Sequence, residues 1–419
     1  MRIAVVGGGS TYTPELIDGF ARLREELPLT EIALIDRDAR RLEPVAGMAR
    51  RMLARAGHPA QVIATDSVER GVAGARAVLL QLRVGGQAAR DVDETLPLRC
   101  GCVGQETTGA GGLAKALRTV PVVLDIAARV RELAPEAWIV DFTNPVGIVT
   151  RALLRDGHRA IGLCNVAIGF QRRFAGHLGV APERVSLGHV GLNHLSWERT
   201  VQLDGADVLP RLIEEHGERI ADDVGLPVGL IRRLGVVPSY YLRYFYAHDL
   251  VVEEQRSKPT RASEVAAMEA RLLEMYADPA VDTKPALLGG RGGAYYSEAA
   301  VALIASLLGD RGDTQVVNLR NGGALPFLPD DAVIEVPAAI TAAGATALPV
   351  APVEPLYAGL IAHVTAYEAL ALTAALEGGA ERVHDALLAH PLVGQEAVAG
   401  ELTRLLLDAN RRHLPWTVS

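Results

Sequence analysis

The chain has 419 residues, with 42 Lys or Arg against 50 Asp or Glu, and a formal net charge of -8 at pH 7. This length suggests two or three domains with large cores, and the lack of a Lys- or Arg-rich block argues against general nucleic-acid binding. No apolar run reaches the roughly 18 residues of a membrane span, and the N-terminus is typical of a strand rather than a secretory leader. Three cysteines provide no disulfide framework. We therefore expect a reduced, cytoplasmic protein that binds neither nucleic acid nor membrane.

The first 165 residues alternate short apolar runs with helical patterns. Apolar residues recur at helical spacing after Asp38, a natural N-cap, and further helices are predicted over 113–130 and from Pro145. The predicted strands are 3–6, 31–36, 62–65, 77–81, 137–141 and 160–164. Strands that alternate with helices predict an α/β fold with a Rossmann-like, doubly wound parallel sheet.

The pattern changes after about residue 170. Helical stretches dominate 208–275 and 355–414, and short strands are predicted near 185–205 and 313–335. We predict an NAD-binding domain over 1–170 and a C-terminal α+β domain over 171–419 for substrate, metal and oligomerisation. Two polar segments, 104–112 and 256–261, are typical of binding loops.

Glycines between the first strand and the first helix indicate a dinucleotide site. Gly7 and Gly9 let the backbone approach a pyrophosphate at a helix N-terminus. Asp36 ends the second strand, where a carboxylate accepts from ribose hydroxyls and repels a 2′-phosphate, so NAD is favoured over NADP. Ser10 and Thr11 follow, where many dehydrogenases carry another glycine. The predicted cofactor-binding residues are Gly7, Gly9, Ser10, Thr11 and Asp36.

Four polar or reactive residues downstream also have simple structural explanations. Asn144 before Pro145 is a possible helix cap, and Cys164 a buried small hydrophobe. His194 between leucines is a possible core histidine, and Tyr241 in an aromatic run possible packing. However, Asn144 and Cys164 follow the last two parallel strands, outside which ligands bind. A thiolate and an imidazole brought together there would hold a divalent metal with open positions.

Together these segments resemble glycoside hydrolase family 4, and within it the 6-phospho-β-glucosidases. The resemblance runs over nearly the whole chain and rests on specific motifs: Arg83-Val-Gly-Gly86, Val103-Gly-Gln-Glu-Thr107, Asp141-Phe-Thr-Asn-Pro145, Cys164-Asn165 and Gly191-Leu-Asn-His194. Members of this family use NAD rather than two carboxylates. Hydride transfer from sugar carbon 3 acidifies carbon 2, a base then removes its proton, the aglycone leaves, water adds, and the hydride returns.

The resemblance implies a role for each candidate residue. Cys164 and His194 resemble the metal ligands, usually for Mn²⁺, and Tyr241 resembles the general base. A phenol needs a metal or a neighbouring cation to ionise at neutral pH, and Arg243 is one candidate. The residues that resemble substrate-binding positions are Arg90, Asn144, Asn165 and Arg261, of which the arginines suit a sugar phosphate. The expected substrate is a phosphorylated disaccharide or β-glucoside, and the expected assembly is a homodimer or homotetramer.

One departure separates branches of the family. In the α-glucosidases an aspartate follows the metal-binding cysteine and acts as general acid, whereas Asn165 stands here, as in the β-specific branch. The acid therefore stays unassigned. Alternatives that remain are a family member acting on a 6-phospho-α-glucoside, an α-galactoside or an α-glucuronide, a lactate/malate-type dehydrogenase, and a non-catalytic NAD sensor.

Overall fold

The computed structural model describes residues 1–292 and 295–417, and in these ranges the strands form one mixed sheet. Its strand order is β10-β8-β7-β12-β11-β6-β5-β4-β1-β2-β3, with β13 beside β12 and β9 beside β8. The strands are β1 Arg2–Val6, β2 Glu31–Ile35, β3 Gln61–Thr65, β4 Ala77–Leu80, β5 Trp138–Asp141, β6 Ala160–Gly162, β7 Val185–Leu192, β8 Leu195–Leu203, β9 Ala206–Asp207, β10 Val237–Pro238, β11 Asp313–Arg320, β12 Val333–Thr341 and β13 Gly344–Ala347.

Helices follow most strands of the first half and dominate the second. They are α1 Thr13–Arg22, α2 Ala39–Arg55, α3 Val68–Val72, α4 Gly86–Thr95, α5 Ala110–Leu133, α6 Val146–Arg155, α7 Val166–Leu178, α8 Leu209–Val224, α9 Val228–Leu234, α10 Arg243–Tyr246, α11 His248–Ser257, α12 Arg261–Ala277, α13 Tyr296–Gly309, α14 Pro355–Glu377, α15 Ala380–Leu388 and α16 Glu396–Asn410. Asp38 caps α2 as predicted, because its side chain accepts from the Arg40 backbone N–H.

The parallel half of the sheet has the strand order 3-2-1-4-5-6 of a Rossmann fold. Its central strands are apolar runs buried on both faces, which is why they lack the alternation of a half-exposed strand. The predicted α/β fold is confirmed. The sixth strand ends at Gly162 rather than at 164, so Leu163 and Cys164 lie beyond the strand, at the binding edge.

The antiparallel half continues the same sheet. β11 pairs with β6 at Asn318 and Gly162, and β12 pairs with β7 at Glu335 and Gly191. β7 and β8 form a hairpin with the two residues Asn193 and His194 at its turn. One continuous sheet therefore joins the two halves, and the division at residue 170 stays a prediction.

Helix α14 is long and apolar enough to cross a membrane by length and composition alone, with a mean hydropathy of 1.4 over its most apolar window. The sequence predicted no such segment. Half of this window is buried in the protein, where the helix packs against α5, α6 and α15. Its apolarity is thus at least partly explained by helix packing.

A buried ion pair joins α4 to α5, and a hydrogen bond from the same arginine reaches α16. Arg118 of α5 makes a bidentate contact with Asp93 of α4, and its Nη1 also donates to Asn410 Oδ1 of α16 at 3.1 Å. Its Nε donates to the Val84 carbonyl oxygen at 3.0 Å. Both charged side chains are almost fully buried.

Replacing Arg118 with Met should lower the free energy of unfolding by about 3–5 kcal/mol, because Asp93 would remain as an uncompensated buried charge. The matched control is Arg129→Met, which breaks exposed pairs with Glu69 and Asp125 and should cost no more than about 1 kcal/mol. Urea unfolding of both variants measures the difference. Equal stability losses would contradict the prediction.

Candidate active site

A cleft of about 1380 Å³ runs along the carboxyl edge of the parallel strands. At one end it is lined by the glycine loop after β1 and by Asp36 after β2. At the other end it is lined by Asn144, Asn165 and the His194–Tyr241 region. Its volume exceeds the usual range of a small-ligand pocket, so it has room for more than one small ligand.

The glycine loop turns sharply between β1 and α1. Gly7 has a φ of +85°, and a Cβ there would lie 2.7 Å from the Gln81 carbonyl oxygen. A Cβ on Gly8, which the sequence analysis did not select, would lie 2.8 Å from the Ile35 backbone nitrogen. Only glycine fits such close backbone approaches. The third glycine of the dinucleotide-binding motif is missing from this chain. Thr13 instead contributes to the packing of the first helix on the glycine loop, because its hydroxyl donates to the Gly8 carbonyl oxygen.

Asp36 stands at the end of β2, as predicted. Its Oδ2 accepts from the Gly9 N–H and its Oδ1 from the Asp38 N–H, both at 3.0 Å. These bonds orient the carboxylate at the cleft wall, where the remaining lone pairs can accept from ribose hydroxyls.

Ser10 also lines the cleft, whereas Thr11 is fully buried. The Thr11 hydroxyl donates to Glu269 on α12, and Glu269 also accepts from Arg41 at 3.1 Å and from Arg291 at 2.9 Å. Thr11 thus joins the glycine loop to α12 rather than facing the cleft.

The two predicted metal ligands lie at the boundary of the sheet halves. Burial raises the pKa of the Cys164 thiol, although the N–H groups of Val166 and Asn165 and the Asn193 side chain oppose this by hydrogen bonding. Burial lowers the pKa of His194 to about 4, which keeps its imidazole neutral. A neutral imidazole and a thiol that ionises on coordination suit a divalent transition metal.

Within residues 1–292 and 295–417 no group of three His, Cys, Asp or Glu side chains is arranged to hold a metal. These residues therefore offer at most two ligands of these types at any one place. The Asn144 Oδ1 atom is buried and has no hydrogen-bond partner among the described residues. Because Asn144 also lines the cleft, this acceptor is available to a ligand there.

Tyr241 stacks on His194, with ring centroids 3.6 Å apart and an interplanar angle of 11°. Burial, then Tyr240 and Cys164, raise the pKa of its phenol well above the ordinary value. Arg243, the cation considered from the sequence, instead pairs with Glu254 at 2.5 Å. A bound metal cation is thus the better candidate for lowering this pKa.

The two predicted substrate arginines differ in their freedom. Arg90 is mostly buried, and its Nε contacts Glu94 at 2.6 Å and Glu106 at 3.1 Å. Arg261, at the first position of α12, is more exposed and contacts Glu264 and the Gly290 carbonyl oxygen. Both line the cleft.

Models of two protein families account for most of the chain. The model of the family 4 glycosyl hydrolases matches residues 2–180, and the model of their C-terminal domain matches residues 189–393. The chain belongs to glycoside hydrolase family 4. The resemblance identified from the sequence is confirmed.

Relatives of this family 4 hydrolase match it over nearly their whole length. A probable 6-phospho-beta-glucosidase of Bacillus subtilis is 38% identical, with 99% of this chain and 97% of the relative covered. The 6-phospho-beta-glucosidase of Escherichia coli is 36% identical, with 99% and 96% covered. The solved structure of the Thermotoga maritima 6-phospho-beta glucosidase with manganese, NAD+ and glucose-6-phosphate is 36% identical, covers 99% of both chains and has a TM-score of 0.93.

Glu106 is a buried carboxylate in the cleft of this hydrolase, and no role was predicted for it from the sequence. Glu106 contacts Arg83, Arg90 and Lys115, the last at 2.5 Å. Burial alone would raise its pKa, but these three cations hold the pKa well below the ordinary value. The sequence did contain one indication of this buried charge cluster, because Lys115 is a lone lysine in the otherwise apolar first turns of α5.

A second missed group lies in the antiparallel half. His189 contacts Glu198 through Nδ1 at 2.7 Å and Glu335 through Nε2 at 2.9 Å, and all three side chains are buried. The other Glu335 oxygen accepts from Asn193, the residue before His194, at 3.2 Å. Burial opposes the imidazolium, but the two carboxylates outweigh it and raise the pKa of His189 from 6.5 to about 10.

This raised pKa predicts a pH dependence of stability. The contribution of His189 is fully present below its unfolded pKa near 6.5 and is lost as pH rises through about 10. Between these values, wild type should lose stability relative to His189→Gln by up to about 1.4 kcal/mol per pH unit. Urea unfolding from pH 6 to 10 measures the slope. The control His248→Gln, on the exposed side of α11, should keep the wild-type slope, and parallel slopes for wild type and His189→Gln would contradict the assignment.

Proposed function

We propose that this family 4 hydrolase cleaves 6-phospho-β-glucosides with NAD and Mn²⁺ as cofactors. The observation that carries the proposal is one continuous cleft, which runs from the glycine loop and Asp36 to Asn165, His194 and Tyr241. Relatives that are 36–38% identical over nearly the whole chain are 6-phospho-beta-glucosidases, which supports the substrate class.

The cleft residues divide the chemistry among them. Gly7, Gly9, Ser10 and Asp36 would hold NAD, and Cys164 with His194 would hold Mn²⁺. When bound, NAD exchanges a hydride with carbon 3 of the sugar and the metal polarises the oxidised sugar. Tyr241 removes the proton from carbon 2, since its ring lies against a metal-binding imidazole.

The remaining residues orient the sugar. Asn144 offers its unpartnered Oδ1 to a sugar hydroxyl, and Asn165 lines the same wall. We assign Arg261 to the 6-phosphate, because its pair with Glu264 is exposed and therefore weak, whereas Arg90 is paired with two buried carboxylates. Arg90 then contributes positive charge to the cleft and positions Glu106.

The wider organisation of the protein is also proposed. We infer domains over 1–170 and 171–419, a cytoplasmic location, and a homodimer or homotetramer. Exposed leucines on α14, including Leu356, Leu370 and Leu376, support self-association. The lactate/malate dehydrogenase and NAD-sensor alternatives are not favoured in this family, and Asn165 argues against the α-specific sugars.

The substrate assignment predicts the outcome of one assay panel. Nitrophenyl α- and β-glucosides, each with and without a 6-phosphate, would be incubated with NAD and Mn²⁺. The phosphorylated β-glucoside should be cleaved fastest, with little net NADH because the hydride returns within each turnover. Faster cleavage of an α-glycoside, or stoichiometric NADH without nitrophenol, would refute the proposal.

The base assignment predicts a second result. Tyr241→Phe keeps the ring and removes the hydroxyl, so proton abstraction from carbon 2 should slow by roughly a hundredfold or more. Solvent deuterium incorporated at carbon 2 of the product measures this step. The control Tyr246→Phe alters the same aromatic run outside the cleft and should exchange as wild type. If Tyr241→Phe exchanges at the wild-type rate, the base must be another group.

A further inference from the structure

The Val103–Thr107 motif includes one hydroxyl in contact with a proposed metal ligand. Thr107 Oγ1 lies 2.8 Å from His194 Nδ1 and 2.9 Å from Gln105 Oε1. The roles of these atoms follow from the number of protons available. A threonine hydroxyl has one proton to donate and lone pairs to accept with.

Gln105 determines which atom receives that proton. Its Oε1 accepts from the backbone N–H groups of Thr107 and Thr108, at 2.5 and 2.6 Å. A flipped amide would turn an NH₂ group toward these two donors, so the carbonyl orientation is fixed. The Thr107 hydroxyl must then donate to Oε1, because two facing acceptors at 2.9 Å would repel each other.

With its proton given to Gln105, the Thr107 oxygen can only accept from the imidazole. His194 Nδ1 therefore carries the ring proton, and Nε2 keeps the lone pair that a metal needs. We propose that Thr107 is a positioning residue which, with Gln105, selects the Nδ1–H tautomer of His194 and so prepares Nε2 for the metal. This inference rests on the proposed metal role of His194.

The loop is held firmly enough to impose this choice. Gln255 of α11 makes two hydrogen bonds of 2.9 Å with the backbone N–H and C=O of Gly104. On the other side, a Cβ on Gly112 would lie 2.5 Å from the Thr107 carbonyl oxygen, so the first turn of α5 packs directly on the loop. The hairpin turn also fixes the imidazole, because His194 has a φ of +63° and stacks on Tyr241.

A first experiment needs no variant of the loop. The ¹⁵N NMR spectrum of metal-free, ¹⁵N-histidine-labelled protein, with His194→Asn used for assignment, should show His194 protonated at Nδ1 and not at Nε2. A His194 protonated at Nε2 would overturn the inference, whatever the enzyme's activity.

A second experiment measures Mn²⁺ affinity by calorimetry in the absence of substrate. Thr107→Val keeps the shape and loses the hydroxyl, so the dissociation constant should rise about 10–100-fold, the usual effect of removing an outer partner of a metal-binding histidine. Thr107→Ser restores a hydroxyl and should bind close to wild type. Thr108→Val is the matched control, since among the described residues the Thr108 side chain hydrogen-bonds to neither Gln105 nor His194, and only its backbone N–H reaches Gln105.

The outcomes separate the two claims. If wild type binds no Mn²⁺, the proposed metal site is wrong. If wild type binds Mn²⁺ and Thr107→Val binds it equally well, the metal site stands and the role of Thr107 is wrong. Equal weakening in Thr107→Val and Thr107→Ser would also overturn it, because the hydroxyl would then not be the cause.

Discussion

The candidate site depends on one constraint, the common direction of six parallel strands. Because their carboxyl ends meet along one edge, residues distant in sequence such as Gly7, Asp36 and Asn144 line one cleft. The antiparallel half extends this edge through the pairing of β6 with β11. The hairpin turn that bears His194 is thereby brought to the strand end that bears Cys164.

Burying this edge places charges inside the protein, where each must be compensated. The structure does so with groups of opposite sign: Glu106 among three cations, Glu269 between Arg41 and Arg291, and His189 between two carboxylates. One of these groups reaches a proposed metal ligand. Glu335 accepts from Asn193, whose side chain also bonds to Cys164, so the buried charges orient the site as well as stabilising the fold.

The sequence predicted the parallel half well, because its strands are short apolar runs and its helices carry apolar residues at helical spacing. It also identified the family, since the motifs are specific. It could not predict the pairing of His189 with Glu335, which lie 146 residues apart and meet only through the β7–β12 pairing. Nor could it distinguish the roles of Ser10 and Thr11, because the contact of Thr11 with Glu269 depends on how α12 packs on the first half. Arg243 was considered for Tyr241 because of its position in sequence, but Glu254 on the next helix attracts it.

The single sheet also limits whether one half of this protein could be exchanged for the corresponding half of another enzyme. The edge of β6 in a free Rossmann half would be unpaired, and an unpaired edge strand invites association with other chains. Here β11 pairs with that edge. The next strand, β12, pairs with β11 and bears Glu335. A chimera that carried the dinucleotide-binding half of another enzyme would need an edge strand that matches β11. The exchange would also disturb Glu335, the carboxylate that interacts with Cys164. Modular exchange at this boundary is thus disfavoured, and change in this protein is expected to proceed through its loops instead.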